Sequence, residues 1–158
     1  MSKKATNYAI AESLCTLTEE QVMALDRQAT DGAGWDLYCH SFINRPIVFR
    51  NRISGRFRNI GQDYFVEVTV DEQQITTFCS TCRNGVICEH SVALLYSWVY
   101  DADGFLNVAD SIAKLESMDK GQLIELIAQF LSQDANYIDF LMKASDEDDD
   151  YDLDGLFN

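Results

Sequence analysis

The residue types that could carry chemistry are concentrated in one twelve-residue segment, CSTCRNGVICEH, at positions 79–90. It holds three of the five cysteines and one of the two histidines in the chain. Two cysteines are separated by two residues, and a Cys-x-His pair follows after five more. Thiolate and imidazole groups in a tetrahedron are the ligands that structural zinc prefers. The segment therefore predicts one structural Zn²⁺ ion with four ligands: Cys79, Cys82, Cys88 and His90.

Two other interpretations of these thiols stay open, a redox-active pair and a buried set of unliganded thiols. A redox Cys-x-x-Cys motif would leave Cys88 and His90 without a role, and it favours a direct passage from strand to helix. Here residues 83–85 predict a turn after Cys82 instead. A catalytic metal is not predicted, because four protein ligands close the coordination shell, although Glu89 lies between two of them.

The sequence around the cluster predicts the elements that position it. Residues 64–70 alternate, with the tyrosine and three valines on one face and Glu67 and Thr69 on the other, which predicts a strand. Gly55 is a candidate bulge. An apolar helix is predicted from about His90 to Tyr100. Shorter strands are predicted at 47–49, 53–57 and 75–78.

Helices are predicted on both sides of this core. Thr18 and Gln21 form a capping box at the start of a helix that ends near Gln28, before a glycine-containing break. Asp119 caps a second helix with a wide apolar stripe. A further helix is predicted over 134–143, and an element of uncertain type begins at 35–38.

These elements predict an α+β fold, with a small antiparallel β-meander plus a helix in a ββα arrangement, flanked by N- and C-terminal helices. The predicted divisions are a helical flank over 1–34, a zinc-binding core over 35–100, a helical segment over 101–143 and a disordered acidic tail over 144–158.

The chain is acidic overall but has one basic stretch. Net charge is −14, and residues 144–158 carry −7 of it. Five arginines lie within 45–58, a stretch without any acid. Four of these arginines are evenly spaced. If they lie on one continuous strand, their side chains share a face that can contact nucleic-acid phosphates. These candidate contacts are Arg50, Arg52, Arg56 and Arg58. The alternative is a solvated strand face paired with local acids such as Glu67.

Three further residues could ligate a metal: Cys15, Cys39 and His40. Three potential ligands at this spacing give only weak support to a second metal site. We expect instead a buried cysteine at position 39 beside a surface histidine.

The cluster resembles the SWIM-type zinc fingers, whose pattern is two close cysteines, a variable gap, and Cys-x-His leading into an apolar helix. The match is closest at CEHSVALL, residues 88–95, and ISGRF, YFVEVTV and ITTFC precede it where family members have strands. LTEEQV and QLIEL resemble the helical flanks of bacterial SWIM proteins, so the resemblance covers roughly residues 14–143. It departs at the first pair, where Cys79-x2-Cys82 replaces the usual Cys-x-Cys.

The resemblance implies the same four ligands, a SWIM-like core over 35–100, and a binding module with DNA or protein as its partner. We therefore predict a non-catalytic, zinc-stabilised adaptor that mediates protein–protein interaction in a nucleic-acid-processing complex. The alternative is direct DNA or RNA binding through 45–58. The sequence contains no P-loop and no informative catalytic constellation, so neither an enzyme nor a small-molecule substrate is predicted.

Composition and apolar runs predict a cytoplasmic, soluble protein without membrane contact. The chain is 47% hydrophobic with a single proline, as globular domains are. Its longest apolar run, residues 92–95, is far too short to span a bilayer. The N-terminal residues contain no apolar stretch of signal-peptide length.

Overall fold

A computed structural model describes residues 8–59, 62–83 and 85–146, and it confirms the α+β fold class. The strands are β1 (Phe42–Phe49), β2 (Arg52–Asn59), β3 (Gln62–Val70), β4 (Ile75–Cys79) and β5 (Leu106–Asn107). The helices are α1 (Glu12–Cys15), α2 (Glu19–Ala29), α3 (Ala33–His40), α4 (Glu89–Asp101), α5 (Val108–Glu116), α6 (Lys120–Leu131) and α7 (Ala135–Asp146), with a 3₁₀ turn at Ala102–Gly104. The chain divides into two compact units, Met1–Ser111 and Ile112–Asn158.

The sheet of the N-terminal unit contains the predicted antiparallel meander. Its first four strands lie in the order β4-β3-β2-β1, and each is antiparallel to its neighbour. β5 adds a fifth strand parallel to β1 through the pairs Ile47–Leu106 and Val48–Asn107. The sequence did not predict β5, because two residues carry no periodic pattern and only their tertiary pairing makes them a strand.

The irregularity expected near Gly55 lies on the neighbouring strand. β2 pairs with β3 in continuous register, whereas the β1–β2 register shifts between Asn44 and Ile47, opposite Gly55. Within this bulge Arg45 takes a φ of +46°. A side chain at Gly55 would place its Cβ 2.6 Å from Ile43 Cγ2, so the glycine allows β1 to lie close to β2 here.

The inner face of the sheet packs against α4. Val66, Val68 and Val70 in β3 are buried, as the alternation predicted, and so are Ile53 and Phe57 in β2. All eight residues of α4 from Ser91 to Trp98 are buried, because the sheet covers one side of the helix while α2 and α3 cover the other. Helix α4, the element that follows the cysteine cluster, is therefore the centre of the core.

The N-terminal helices belong to this core. The capping box of α2 is confirmed, with the Gln21 N–H donating to Thr18 Oγ1 at 3.3 Å and the Thr18 N–H donating to Gln21 Oε1 at 2.8 Å. The segment of uncertain type forms α3, which lies close to α4. A Cβ at Gly34 would lie 2.6 Å from Val92 Cβ, so this glycine sets the approach of the two helices.

The C-terminal unit is helical, as predicted. The Gln122 N–H donates to Asp119 Oδ1 at 2.9 Å and the Asp119 N–H donates to Gln122 Oε1 at 3.0 Å, which confirms Asp119 as the cap of α6. α7 continues to Asp146, past the predicted end at 143, and residues 147–158 of the acidic tail lie outside the described residues. Within the described ranges, no helix is long and apolar enough to cross a membrane.

Candidate metal centre

The first two cysteines are positioned by the end of β4. Cys79 is the last residue of that strand, is buried, and pairs with Val66 on β3. The bend after it is fixed to β3 at two points. The Ser80 N–H donates to the Phe65 carbonyl at 2.9 Å, and the Phe65 N–H donates to Ser80 Oγ at 3.0 Å. This anchoring places Cys82, which is half-buried, beside the strand end.

A turn then returns the chain toward α4. The Val86 N–H donates to the Arg83 carbonyl at 3.2 Å, and Gly85 has a φ of +77°. Glycine adopts this left-handed conformation without steric cost. The Thr77 hydroxyl donates to the Val86 carbonyl at 3.1 Å, which ties the turn to β4. The turn that the sequence predicted after Cys82 therefore brings the second half of the cluster back to the first.

The last two ligands lie at the N-terminus of α4. Cys88 occupies the N-cap position; its N–H donates to Ser91 Oγ at 3.0 Å, and the Ser91 hydroxyl donates to the Cys88 carbonyl at 2.7 Å. The His90 ring packs against the rings of Tyr64 and Phe57, with centroids 4.9 and 5.9 Å away. Both ligands are thus held by contacts that do not depend on a metal.

The four predicted ligands come together in one group that can hold a metal ion. Their ligand atoms all lie within 4.8 Å of one another. His90 Nδ1 lies 3.6 Å from Cys82 Sγ and 4.0 Å from Cys88 Sγ, which identifies Nδ1 as the nitrogen that faces the thiols. A tetrahedral zinc ion with bonds of about 2.3 Å to sulfur and 2.0 Å to nitrogen separates its ligand atoms by roughly 3.5–3.8 Å. The observed spacing is close to this.

The extra residue in the first pair supplies a hydrogen-bonding group. Thr81 Oγ1 lies 3.3 Å from Cys79 Sγ and 3.9 Å from Cys82 Sγ. A hydroxyl in this position can donate to a thiolate and stabilise its charge, as outer-shell groups do around metal ligands. The two-residue spacing between Cys79 and Cys82 is therefore compatible with a closed group of four potential ligands.

Protonation of the thiols and metal binding compete in this cluster. Burial, together with hydrogen bonding to the neighbouring thiols of Cys79 and Cys88, raises the pKa of Cys82 to about 12. Without a metal the Cys82 thiol is therefore protonated at physiological pH. A metal cation replaces the protons and supplies the charge that stabilises the thiolates, so binding releases protons into solution.

Glu89, the only carboxylate that the sequence suggested as a base, lies beside the ligands. Its Oε1 is 3.7 Å from His90 Nδ1, and 45% of its side chain is exposed. Nδ1 faces the thiols. A metal bound by the cluster would occupy the lone pair of this nitrogen, so Nδ1 could not exchange a proton with Glu89. The group offers four potential protein ligands, the number that fills a tetrahedral shell.

The four candidate nucleic-acid contacts are not gathered in one patch. Arg52, Arg56 and Arg58 alternate with buried residues on β2 and share its outer face, whereas Arg50 lies in the β1–β2 turn with a φ of +56°. Arg52 is 3.6 Å from Glu67, as the alternative interpretation expected, and Arg58 is 3.7 Å from Asp63. The guanidinium of Arg56 lies 5.7 Å from the Phe65 ring centroid, and that of Arg50 stacks near Tyr8 and Phe49.

The remaining cysteines do not form a second centre. Among the residues that the structure describes, only the cluster at 79–90 brings three or more potential ligands close enough together to bind one metal ion. Cys39 is exposed at the end of α3, so the expectation that it is buried was wrong, whereas His40 is exposed as expected. Cys39 lies on the outer side of a helix whose buried contacts are made by other positions.

Sequence reasoning missed a buried carboxylate, Asp26 on α2, which is 2% exposed. Its Oδ1 accepts from the Gly34 N–H at 3.0 Å and from the Thr30 hydroxyl, and its Oδ2 accepts from the Trp35 N–H at 3.0 Å and from the Tyr96 hydroxyl at 3.1 Å. Burial acts to raise the pKa of Asp26, but these four hydrogen bonds outweigh it and hold the pKa below its usual value. A signal was present, because Asp26 falls four residues after the buried Val22 on the same helix face.

The fold and site define a class: an α+β protein with a Cys₃His group that can hold a metal ion at a strand-to-helix junction. Comparisons with protein-family models, curated proteins and solved structures give no match to this chain.

Proposed function

We propose that this protein is a non-catalytic binding module of the SWIM zinc-finger type, stabilised by one Zn²⁺ ion, and that its ligand is another protein. This proposal is supported by three buried or half-buried thiols and an imidazole that could together fill a tetrahedral shell, the composition of structural rather than catalytic zinc sites. Such a thiol site persists in a reducing compartment, so we place the protein in the cytoplasm.

The observation that carries the choice of a protein ligand is the apolar surface of the C-terminal unit. α6 and α7 expose large apolar side chains, and Phe140 is 75% exposed. Exposed apolar patches of this kind mark protein–protein interaction sites. The members of this surface, which we term the helical patch, are Ile124, Ile127, Phe130, Tyr137, Ile138, Phe140, Leu141 and Met142.

Charge substitution in the helical patch should abolish partner binding without affecting the metal centre. We expect Phe140→Asp to lose a specific partner that the wild-type chain retains in affinity purification from its native host, because a carboxylate in an apolar interface stays desolvated and unpaired. The control Gln133→Asp introduces the same group at an exposed polar position of the same unit. Quantitative mass spectrometry measures the enrichment. An identical set of partners for wild type and Phe140→Asp would contradict this function.

A second candidate function, direct nucleic-acid binding, is favoured by the outer face of the sheet. Arg56 lies opposite Phe65 in the β2–β3 register, and the rings of Phe65 and Phe78 are 6.2 Å apart. A depression of about 310 Å³ on this face is lined by Arg56, Phe65, Ile47 and other β1–β2 residues. Arginines interleaved with aromatic rings on an open sheet are a platform for stacking bases and contacting phosphates.

Salt dependence tests the second candidate. Binding of a fluorescent single-stranded oligonucleotide should weaken steeply with salt if Arg52, Arg56 and Arg58 contact phosphates, and Arg56→Gln should reduce the slope of log affinity against log salt by about 0.7, the value for one contact to a single strand. Arg27→Gln, on α2, serves as the matched control. Absence of binding at low salt would remove this function and leave the protein-binding module unaffected.

A further inference from the structure

The N-terminal unit contains a small cavity between α2, α3 and α4 that the metal centre does not use. Its volume is about 230 Å³. The side chains that matter for its chemistry are two aromatic rings, one thioether, two carboxylates and one guanidinium: Trp35, Tyr96, Met23, Glu19, Asp26 and Arg27.

Two aromatic rings form walls of this cavity at a steep angle. The ring centroids of Trp35 and Tyr96 are 5.1 Å apart, with 73° between their planes. Tyr100 extends the group, with its ring centroid 5.7 Å from that of Trp35. Trp35 remains 41% exposed although it belongs to this aromatic cluster. The two rings therefore pack edge to face, and the accessible aromatic surface is that of Trp35, since Tyr96 is buried. The electron-rich face of an indole attracts cations, and quaternary and primary ammonium groups are the usual ligands.

A buried carboxylate, Asp26, is among the residues that line the cavity. The four donors to Asp26 are neutral backbone or hydroxyl groups. Among the described residues, no Lys, Arg or His lies within 4.0 Å of its carboxylate. Because the hydrogen bonds hold the pKa of Asp26 below its usual value, the carboxylate is ionised at neutral pH. Its charge is thus solvated by dipoles but is not neutralised.

The rim of the cavity adds a second carboxylate. Hydrogen bonding to Glu19 raises the pKa of Tyr100, so this carboxylate lies close to the aromatic cluster. Arg27 is the one cation among the lining residues, so the two carboxylates leave the lining with an excess of one negative charge. The five heavy atoms of a trimethylated ammonium group occupy roughly 150 Å³ at about 30 Å³ each, which is less than the cavity offers.

We propose that this cavity binds an alkylammonium group, and that its physiological occupant is a lysine side chain, free or methylated, of the protein partner. The exposed Trp35 ring faces the cation, the buried Tyr96 holds Trp35 in place by its edge-to-face contact, and Asp26 and Glu19 supply the negative field. The identity of the occupant rests on the proposed protein-binding function, whereas the ammonium site itself does not. A strongly acidic chain, with a net charge of −14, favours approach of a basic partner.

The test compares a cation with its neutral isostere on the full, metal-loaded chain. Choline and 3,3-dimethyl-1-butanol have nearly the same shape and differ in charge, so we expect choline to bind at least about fivefold more tightly, the difference that one cation–π contact provides. Shifts of the indole N–H signal of Trp35 in two-dimensional NMR report binding at the cavity. Equal affinity for both compounds, or no shift of that signal, would overturn the proposal.

Variants test the contributions of Trp35 and Arg27 to ammonium binding, and a peptide tests whether the occupant is a protein side chain. Trp35→Ala should weaken choline binding about fivefold or more, Trp35→Phe should retain most of it, and Arg27→Gln should strengthen it. A peptide carrying trimethyl-lysine should bind more tightly than choline if the occupant is a protein side chain; tighter binding of free choline would overturn that assignment. Zinc content is measured in every sample, so failure of the ammonium site is distinguishable from failure of the metal centre.

Discussion

Cys88→Ser should remove the metal from this protein and unfold its N-terminal unit at room temperature. Structural zinc contributes about 10–16 kcal/mol of apparent binding free energy in zinc-finger peptides, which exceeds the total stability of most domains of this size. A serine hydroxyl is a poor replacement for a thiolate ligand. We expect zinc content to fall from about one per chain to near zero, and the denaturant midpoint to fall with it.

The size of this effect follows from where the ligands lie. Cys79 ends β4, while Cys88 and His90 begin α4, the helix around which the core is packed. Losing one ligand therefore removes the metal cross-link between the end of the sheet and the start of its central helix. Cys39→Ser is the matched control, since Cys39 is exposed and outside the cluster, and it should leave zinc content and stability unchanged. Retention of zinc and of wild-type stability by Cys88→Ser would contradict a structural metal.

Asp26→Asn should be the most destabilising change away from the metal centre. The amide places an NH₂ group against two of the four donors to Asp26, so two buried donors lose their acceptor while the charge that strengthens the other bonds disappears. Each unsatisfied buried donor costs about 1–3 kcal/mol, so we expect the free energy of unfolding to fall by roughly 2–6 kcal/mol. Chemical denaturation of metal-loaded protein measures this. Asp31→Asn is the control, because Asp31 is exposed and its φ of +54° suits asparagine.

The same residue predicts how stability changes with acid. The pKa of Asp26 is lower in the folded protein than its ordinary value of 3.8. Its stabilisation is therefore fully present above that ordinary value, and it is lost as pH falls through the lower folded value. The difference in unfolding free energy between wild type and Asp26→Asn should stay constant from neutral pH to about pH 5 and shrink below about pH 4. A difference that grows on acidification would contradict an ionised Asp26.

Much of this structure was accessible from local sequence patterns. The capping box at Thr18 and the cap at Asp119 are confirmed, because a cap satisfies helix-terminal donors with residues three positions apart and needs no tertiary partner. Which face of β3 is buried was predictable, because its valines alternate with other residues and therefore all point to the same side of the sheet. The grouping of Cys79, Cys82, Cys88 and His90 was predictable because short spacings along the chain keep these side chains close in space.

The features that were not predicted depend on distant parts of the chain. α3 forms because Gly34 allows it to pack closely on α4, a contact that the sequence of α3 alone does not encode. β5 is two residues long and exists through its pairing with β1. Asp26 is satisfied by Tyr96, seventy residues away. The partners of the arginines follow from strand register, which sets Arg52 near Glu67 and leaves Arg50 in a turn.

The central claim is that Cys79, Cys82, Cys88 and His90 bind one zinc ion, and X-ray absorption at the zinc K edge tests it most directly. The sample is full-length protein purified under reducing conditions without added metal. We expect three sulfur scatterers at about 2.3 Å and one nitrogen at about 2.0 Å, with one zinc per chain. A folded, reduced protein that contains no zinc, or a zinc shell made only of nitrogen and oxygen, would contradict the claim.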